Sequence, residues 1–375
     1  MPIILGDDLN TIKVQAALGS WLKERMDDAA DVTVSELSFP EGNGSSNLTG
    51  LFTADWTDGR GALHTKRLVV RLPPQGAGLF PEYDLNLQFG IMKALADVAS
   101  VPVATPIWSE DDPAVLGSPF FVMEHMDGKV PPDQPIFTSE GWVLELPPDQ
   151  QALLCDNGLR VMAAINGLDW EALGLGEVIP TEGGRNPIDR ELTKLEEYYA
   201  WASEGMPSPT IDRALEWARK NEPADEPVAL SWGDSRIGNI MYGEDLSVKA
   251  VMDWEMATLA SPEMDLGHWL QTTRAFSFGY GYPLPPGFPS EEETIARYEE
   301  LSGYKTRYVR FYQAFSGIRI SITLLRVVRQ MIESGVAPPD TNLINNNPMS
   351  RTLAATLDLS PPEGSDTELM FNQSK

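Results

Sequence analysis

One stretch of the chain carries residues of the right type and spacing for metal-assisted chemistry. Leu230 to Glu255, LSWGDSRIGNIMYGEDLSVKAVMDWE, holds Asp234, then Asn239 five positions on, then Asp253 a further fourteen positions on. Apolar residues alternate from Asn239 to Tyr242 and again from Val248 to Met252, and Gly243-Glu244-Asp245-Leu246 between them is a turn by composition. The segment therefore reads as a loop leading into a β-hairpin. A hairpin brings its ends together, so Asn239 and Asp253 are expected side by side, with Asp234 held above them by a tight Gly-containing loop. One carboxylate and one amide oxygen suit Mg²⁺, a hard ion that takes a few protein oxygens and completes its shell with phosphate and water. A separate aspartate a few ångströms away suits a base or an orienting group for a hydroxyl nucleophile. On these residues alone, a hairpin with surface carboxylates stays open as the alternative.

The constellation resembles the catalytic and metal loops of the aminoglycoside phosphotransferase family, a small-molecule branch of the protein-kinase-like fold. That family carries His-Gly-Asp, an Asn five residues after the Asp, and later Asp-Trp-Glu followed by Asp-Leu. The matching residues are Trp232-Gly233-Asp234, Asn239, Asp253-Trp254-Glu255 and Asp265-Leu266, with Trp232 standing where the family usually has His. The resemblance runs over roughly residues 35 to 275. It implies ATP and Mg²⁺ as cofactors, Asp234 as the catalytic residue facing the acceptor hydroxyl, and Asn239 and Asp253 as metal ligands. Arg236, two positions after Asp234, matches a lysine that faces the γ-phosphate in protein kinases. Asp265 is implied to brace the catalytic loop by accepting backbone N–H groups, and Glu255 to lie next to the metal ligands.

The elements that must position these residues come earlier in the chain. Leu9 to Met26 has apolar residues at helical spacing. Gly42-Asn43-Gly44-Ser45-Ser46 precedes strand-like Leu48 to Trp56. Small residues in such a turn let backbone N–H groups approach phosphate oxygens. A plain hairpin turn is the alternative, and the resemblance favours the phosphate-covering loop. Thr65 to Arg71 reads as a strand, and Arg71 stands where the family has the basic residue that holds the α- and β-phosphates, a task suited to a guanidinium fork. The helix from Tyr83 to Ala99 is expected to carry the partner that orients Arg71. Related enzymes use Glu there, and the matching residue here is Gln88, with Glu82 as a substitute. Pro119 to Gly128 resembles the interlobe hinge, whose backbone near Glu124 and Met126 would pair with adenine. His125 reads as a hinge side chain, and the three histidines (His64, His125, His268) show no metal-ligand spacing.

Beyond Asp127 the pattern turns helical, with periodic segments at Asp149–Asn166, Ile188–Ala202, Ile211–Lys220 and Pro262–Ala275, and a longest one at Tyr304–Gly335. Phe276 to Pro289, rich in aromatics, Gly and Pro, reads as a substrate-side loop. The expected architecture is α+β and two-lobed: an N-lobe over residues 1–123 with an antiparallel sheet, and a larger helical C-lobe over 124–375.

A length of 375 residues with 42% hydrophobic content is enough for two lobes with large cores. A single cysteine, Cys155, excludes a disulfide framework. Acidic residues outnumber basic ones 55 to 28, for a net charge of −27. This disfavours nucleic acid and anionic membranes as partners and is compatible with a cationic acceptor. The start, MPIILGDDLN, has no basic n-region, and no stretch of about 18 apolar residues is present, so a cytoplasmic protein is expected. The expected activity is transfer of the ATP γ-phosphate to the hydroxyl of a small molecule, an aminoglycoside, a hydroxyacyl compound or another alcohol. The reading from a different class is a nucleotide-binding module without turnover. Trp232 and Gln88 would suit that reading, and Asp234, Asn239 and Asp253 together suit an enzyme.

Overall fold

The computed structural model describes residues 12–39, 46–74, 76 and 78–364. Gly42, Asn43, Gly44 and Ser45 of the expected phosphate loop lie outside the described residues, and Ser46 lies within them.

The N-terminal part is a five-stranded antiparallel sheet with one helix before it in sequence and one between its third and fourth strands. α1 (Ile12–Lys23) leads into β1 (Ala30–Val34), β2 (Leu48–Thr57) and β3 (Leu63–Leu72). α2 (Leu85–Leu95), β4 (Pro106–Glu110) and β5 (Phe120–Glu124) follow, and the strand order is β1-β2-β3-β5-β4. The period-2 alternation of β2 is real: Leu48, Gly50, Phe52 and Ala54 face inward. They pack with Leu18, Trp21 and Leu22 of α1, and the Trp21 indole N–H donates to Glu110 at 2.7 Å. Asp84 caps α2 by accepting from the Leu87 N–H at 2.8 Å. Leu85, Gln88, Ile91, Met92 and Leu95, at helical spacing, are the buried face. That face joins the same core as Leu154, Leu159 and Ile165 of the following part, so α2 is fixed to both.

The remainder is mostly helical: α3 (Trp142–Glu145), α4 (Pro148–Asn166), α5 (Leu175–Val178), α6 (Pro187–Ser203), α7 (Pro209–Lys220), α8 (Glu263–Phe276), α9 (Glu291–Ser302), α10 (Val309–Glu333) and α11 (Pro348–Thr356). Two short antiparallel pairs sit between α7 and α8: β6 (Ala229–Ser231) with β9 (Thr258–Ala260), and β7 (Ile240–Tyr242) with β8 (Val248–Val251). Proline at the first turn of α4, α6, α7 and α11 starts each helix where its missing N–H costs nothing.

The expected helices at Asp149–Asn166, Ile188–Ala202, Ile211–Lys220 and Pro262–Ala275 form with their ends moved by at most two residues. α10 starts at Val309 rather than Tyr304. The buried Glu263 carboxylate accepts the N–H groups of Arg307 and Tyr308, at 2.8 and 2.7 Å, and the Tyr304 hydroxyl at 2.9 Å. Those residues are thereby held outside the helix.

Two packing features bear on the site. At Gly267, a Cβ would come within 2.5 Å of the Tyr312 backbone, so α8 and α10 touch main chain to main chain. The connection between β3 and α2 crosses to the helical part. The Gly78 carbonyl accepts from Arg326 and Gln330 of α10, and the Leu79 carbonyl from the Tyr198 hydroxyl of α6. Among the described residues, no helix is long and apolar enough to cross a membrane.

Candidate active site

The loop after β6 is built around Asp265, in the first turn of α8 and fully buried. Its Oδ1 accepts from the Ser231 hydroxyl and the Gly233 N–H, both at 2.9 Å. Its Oδ2 accepts from the Trp232 N–H and Asn166 Nδ2, both at 2.8 Å. Three consecutive residues, Ser231 to Gly233, are thus folded over one side chain, and Ser235 donates to the Asp265 main-chain carbonyl at 2.7 Å. Gly233 has φ +90°, and a Cβ there would sit 2.1 Å from the Met256 carbonyl oxygen. Only glycine fits this turn. Trp232 is fully buried, its indole N–H donates to the Met252 carbonyl at 2.7 Å, and its ring lies 6.2 Å from that of Trp254. At the position where the resemblance implies His, this chain has a packing group that ties the loop after β6 to the segment after β8.

Asp234 follows Gly233 and is held from three directions. Oδ1 lies 2.8 Å from His268 Nε2, and Oδ2 accepts from Asn239 Nδ2 at 2.6 Å and from Arg236 Nε at 3.3 Å. Burial opposes its ionisation, but Arg236, His268 and Asn239 outweigh that cost and hold the carboxyl well below the usual range. Arg236 is itself anchored by Asp133 at 2.5 Å.

The hairpin meets its sequence expectation. Ile240 pairs with Val251, and the Met252 N–H donates to the Asn239 carbonyl at 2.9 Å, so Asn239 and Asp253 end neighbouring strands. The Asn239 amide nitrogen is committed to Asp234 (side chain at 2.6 Å, carbonyl at 3.0 Å), which leaves its Oδ1 as the atom that could meet a cation. Asp253 has φ +61°, a left-handed conformation that a non-glycine residue keeps only when its surroundings fix it. Burial and the Asp234 charge push the Asp253 carboxyl up, and Arg71 and Arg236 pull it back only in part. Two aspartates with opposite shifts share one site. Burial and the neighbouring Asp253 charge push Glu255 up to about 8, and Asn47 Nδ2 donates to its Oε2 at 2.6 Å. Asn47, just after the expected phosphate loop, thereby joins the start of β2 to the segment after β8.

Arg71, on β3, reaches this group by an ion pair: Nη2 lies 2.7 Å from Asp253 Oδ1, and both side chains are 14% exposed. The expected partnership with Gln88 is corrected here. Gln88 is buried on α2, its Nε2 has no partner among the described residues, and Arg71 Nε is likewise a buried donor without one. Among the described residues no hydrogen bond joins the Gln88 amide oxygen to Arg71, and the charged Asp253 outcompetes that neutral acceptor for the guanidinium. Glu82 makes no ion pair to Arg71 either, among the described residues.

At the hinge, β5 pairs with β3 and the His125 N–H donates to the Arg67 carbonyl. Backbone groups alternate sides along a strand, so the Glu124 N–H points the other way and donates to the Thr105 carbonyl at 2.9 Å. The Glu124 side chain pairs with Lys66 at 2.6 Å. Among the described residues the Met126 N–H makes no backbone hydrogen bond.

Three residues close to Asp234 were not singled out by sequence as part of the site. His268 was set aside for lack of spacing, yet it touches Asp234 and is held in turn by Ser316 of α10, whose hydroxyl lies 2.8 Å from Nδ1. Arg319, one turn further along α10 and buried, donates to the Gly233 carbonyl at 2.8 Å. A motif defined along the chain has no term for groups delivered by another helix.

A five-stranded antiparallel sheet joined to a helical body, with this loop, hairpin and basic strand residue between them, defines a kinase-like phosphotransferase fold. The chain belongs to the phosphotransferase enzyme family, whose model matches residues 44–303. It is 28% identical over 324 residues to mouse acyl-CoA dehydrogenase family member 11, an alignment covering 82% of this chain and 40% of that protein. The chain spans between a quarter and two fifths of the length of the first curated relatives it matches. Among solved structures, a Ralstonia eutropha protein described as a candidate aminoglycoside phosphotransferase superposes with a TM-score of 0.65 at 24% identity, covering 92% of this chain and 98% of that one. Aminoglycoside phosphotransferase APH(4)-Ia, solved with ADP and hygromycin B, gives 0.55 at 15% identity over 91% and 98% of the two chains. At these identities the superpositions speak to the fold.

Proposed function

We propose that this chain transfers the γ-phosphoryl group of ATP, taken with Mg²⁺, to a hydroxyl of a small molecule. One observation carries the reading. The Asn239 amide ties the Asp234 carboxylate to the strand pair that ends at Asp253, so base and cation ligands form one rigid frame. Phosphoryl transfer asks mainly for positioning and charge neutralisation, and this frame supplies the first.

The donor set fits the cofactors. Asn239 Oδ1 and one oxygen of Asp253 are left for a hard cation, and among the described residues no three His, Cys, Asp or Glu side chains could hold a metal alone. That is the pattern expected for an ion that takes its remaining ligands from phosphate and water. When bound, Mg²⁺ would neutralise charge on the phosphates. Arg71 would turn from Asp253 to the phosphates, and its unpartnered Nε is a donor ready for one of their oxygens. Ser46, with Gly42 to Ser45, would cover them. The backbone of Glu124 and Met126 would hold the adenine. Residues 1–123 would thus supply the groups that cover and hold the phosphates, and residues 124–375 the adenine contacts at their start, the cation ligands, the chemistry and the acceptor site.

Asp234 accepts the acceptor hydroxyl and takes its proton. A carboxyl held below its usual range is a weak base, so orientation accounts for more of its effect than proton affinity does. Arg236, fixed between Asp133 and Asp234, would supply positive charge to the γ-phosphate during transfer. The test is ADP release from Mg·ATP across a panel of aminoglycosides, macrolides, hydroxyacyl thioesters and polyols. Acceptor-dependent ADP release abolished by chelation supports the reading, and a folded protein that neither binds nucleotide nor releases ADP with any of them overturns it.

A further inference from the structure

We infer that His268, locked by Ser316, is a positioning residue that sets which face of the Asp234 carboxylate meets the acceptor hydroxyl. This deepens the phosphotransferase reading and rests on it. His268 is fully buried on α8, in the hydrogen-bonded order Ser316, His268, Asp234, with both links at 2.8 Å.

The proton positions in this chain follow from chemistry. An ionised Asp234 can only accept, so His268 Nε2 carries a hydrogen and donates it. Burial lowers the His268 pKa despite the carboxylate beside it, and in the neutral ring Nδ1 is then an acceptor. The Ser316 hydroxyl must therefore donate to Nδ1, which fixes the Nε2–H tautomer. Other charged groups set the local field: Arg236 from the loop, Arg319 from α10, Asp253 from the metal loop and Asp265 from α8 itself.

A carboxylate offers about four lone-pair directions. His268, Asn239 and Arg236 occupy three in this structure, leaving one for the acceptor hydroxyl. Without His268 the Oδ1 side would be unheld and the carboxylate fixed through Oδ2 alone. The close approach of α8 and α10 at Gly267, one residue before His268, is what brings Ser316 within reach.

The first test is ¹⁵N NMR of the full chain labelled in histidine. Only three histidines are present, and His268→Gln assigns the signal by removing it. A neutral Nε2–H tautomer for His268 is expected, and a Nδ1–H tautomer or an imidazolium at neutral pH overturns the inference. This arm needs no acceptor and stands whether or not the protein transfers phosphate.

The second test is single-turnover ADP formation from Mg·ATP with water as acceptor, beside titration with Mg·AMP-PNP. His268→Ala should slow ADP formation roughly 10- to 100-fold, the scale of a misplacement near 1 Å, with nucleotide affinity held within about threefold. His268→Gln, which keeps an N–H donor, should recover at least part of the rate. If His268→Ala does not fold, Ser316→Ala leaves the ring in place and removes the donor to Nδ1. It should redistribute the tautomer and slow ADP formation, and a Ser316→Ala protein changed in neither overturns the inference. Wild-type protein that neither binds Mg·AMP-PNP nor forms ADP would instead overturn the phosphotransferase reading, while the tautomer measurement still decides the Ser316–His268–Asp234 chain.

Discussion

Asp265→Asn tests how the catalytic loop is held. The wild-type carboxylate takes four hydrogen bonds, two on each oxygen: Ser231 and Gly233 on Oδ1, Trp232 and Asn166 on Oδ2. Asparagine has nearly the same shape but presents an NH₂ in place of one oxygen. Whichever way the amide is turned, two of the four donors then face a donor. Hydrogen bonds to a charged group contribute about 1.5–3 kcal/mol each, so losing two costs about 3–6 kcal/mol. The side chain is fully buried, so water cannot replace the lost partners. Against a total stability of about 5–15 kcal/mol, this is large enough to unfold a marginal protein. The assay is urea denaturation followed by tryptophan fluorescence, with Trp232 inside the affected loop. The midpoint should fall steeply with the slope unchanged. A loss under about 1 kcal/mol, at the level of a single neutral hydrogen bond, would refute the claim that Asp265 is the post around which the loop is folded.

Further expectations follow from single contacts. Gly233→Ala places a Cβ 2.1 Å from the Met256 carbonyl oxygen at φ +90°; it should cost about 1–3 kcal/mol of strain or more and depress turnover, and an active Gly233→Ala protein of wild-type melting temperature would contradict the close packing of this turn. Trp232→His exchanges a buried ring for a smaller one and should lower stability by about 2 kcal/mol while leaving Mg·ATP affinity and measurable turnover. Complete loss of turnover in the folded variant would assign Trp232 more than packing. Cys155 is buried and its thiol is pushed well above the ordinary range. It should resist iodoacetamide at pH 8 until urea unfolds the chain, and rapid labelling of the native protein would show that the α4 core opens.

The local parts of the site were legible in the sequence because they are local. The hairpin from Ile240 to Val251 follows from alternation and a turn, and the bracing role of Asp265 follows from the family's spacing. The longer helices were legible for the same reason, since a 3.6-residue period over several turns has few competing explanations. What failed was pairing across elements. The choice of Gln88 as Arg71's partner carried over a helix-to-strand contact from relatives. In this chain the residue at that helix position is neutral, and the guanidinium goes to Asp253 on another segment. His268 was passed over because a lone histidine has no spacing to recognise. Its role comes from α8 lying main chain to main chain on α10. The late start of α10 has the same origin, because its expected first turn is claimed by Glu263 of α8, far away in sequence but packed against it.

The central claim is that Asp234 orients the acceptor hydroxyl inside a frame that binds Mg·ATP independently of it. Asp234→Asn keeps the side chain's shape and one acceptor oxygen but loses the charge. The direct measurement is single-turnover phosphoryl transfer by this variant to an acceptor identified from the panel, beside Mg·AMP-PNP titration of the same preparation. Turnover should fall by about 10²–10⁴, with nucleotide affinity within a few fold of wild type, because Asn239, Asp253 and Arg71 keep their places. Near-normal transfer by a folded Asp234→Asn protein would contradict the account.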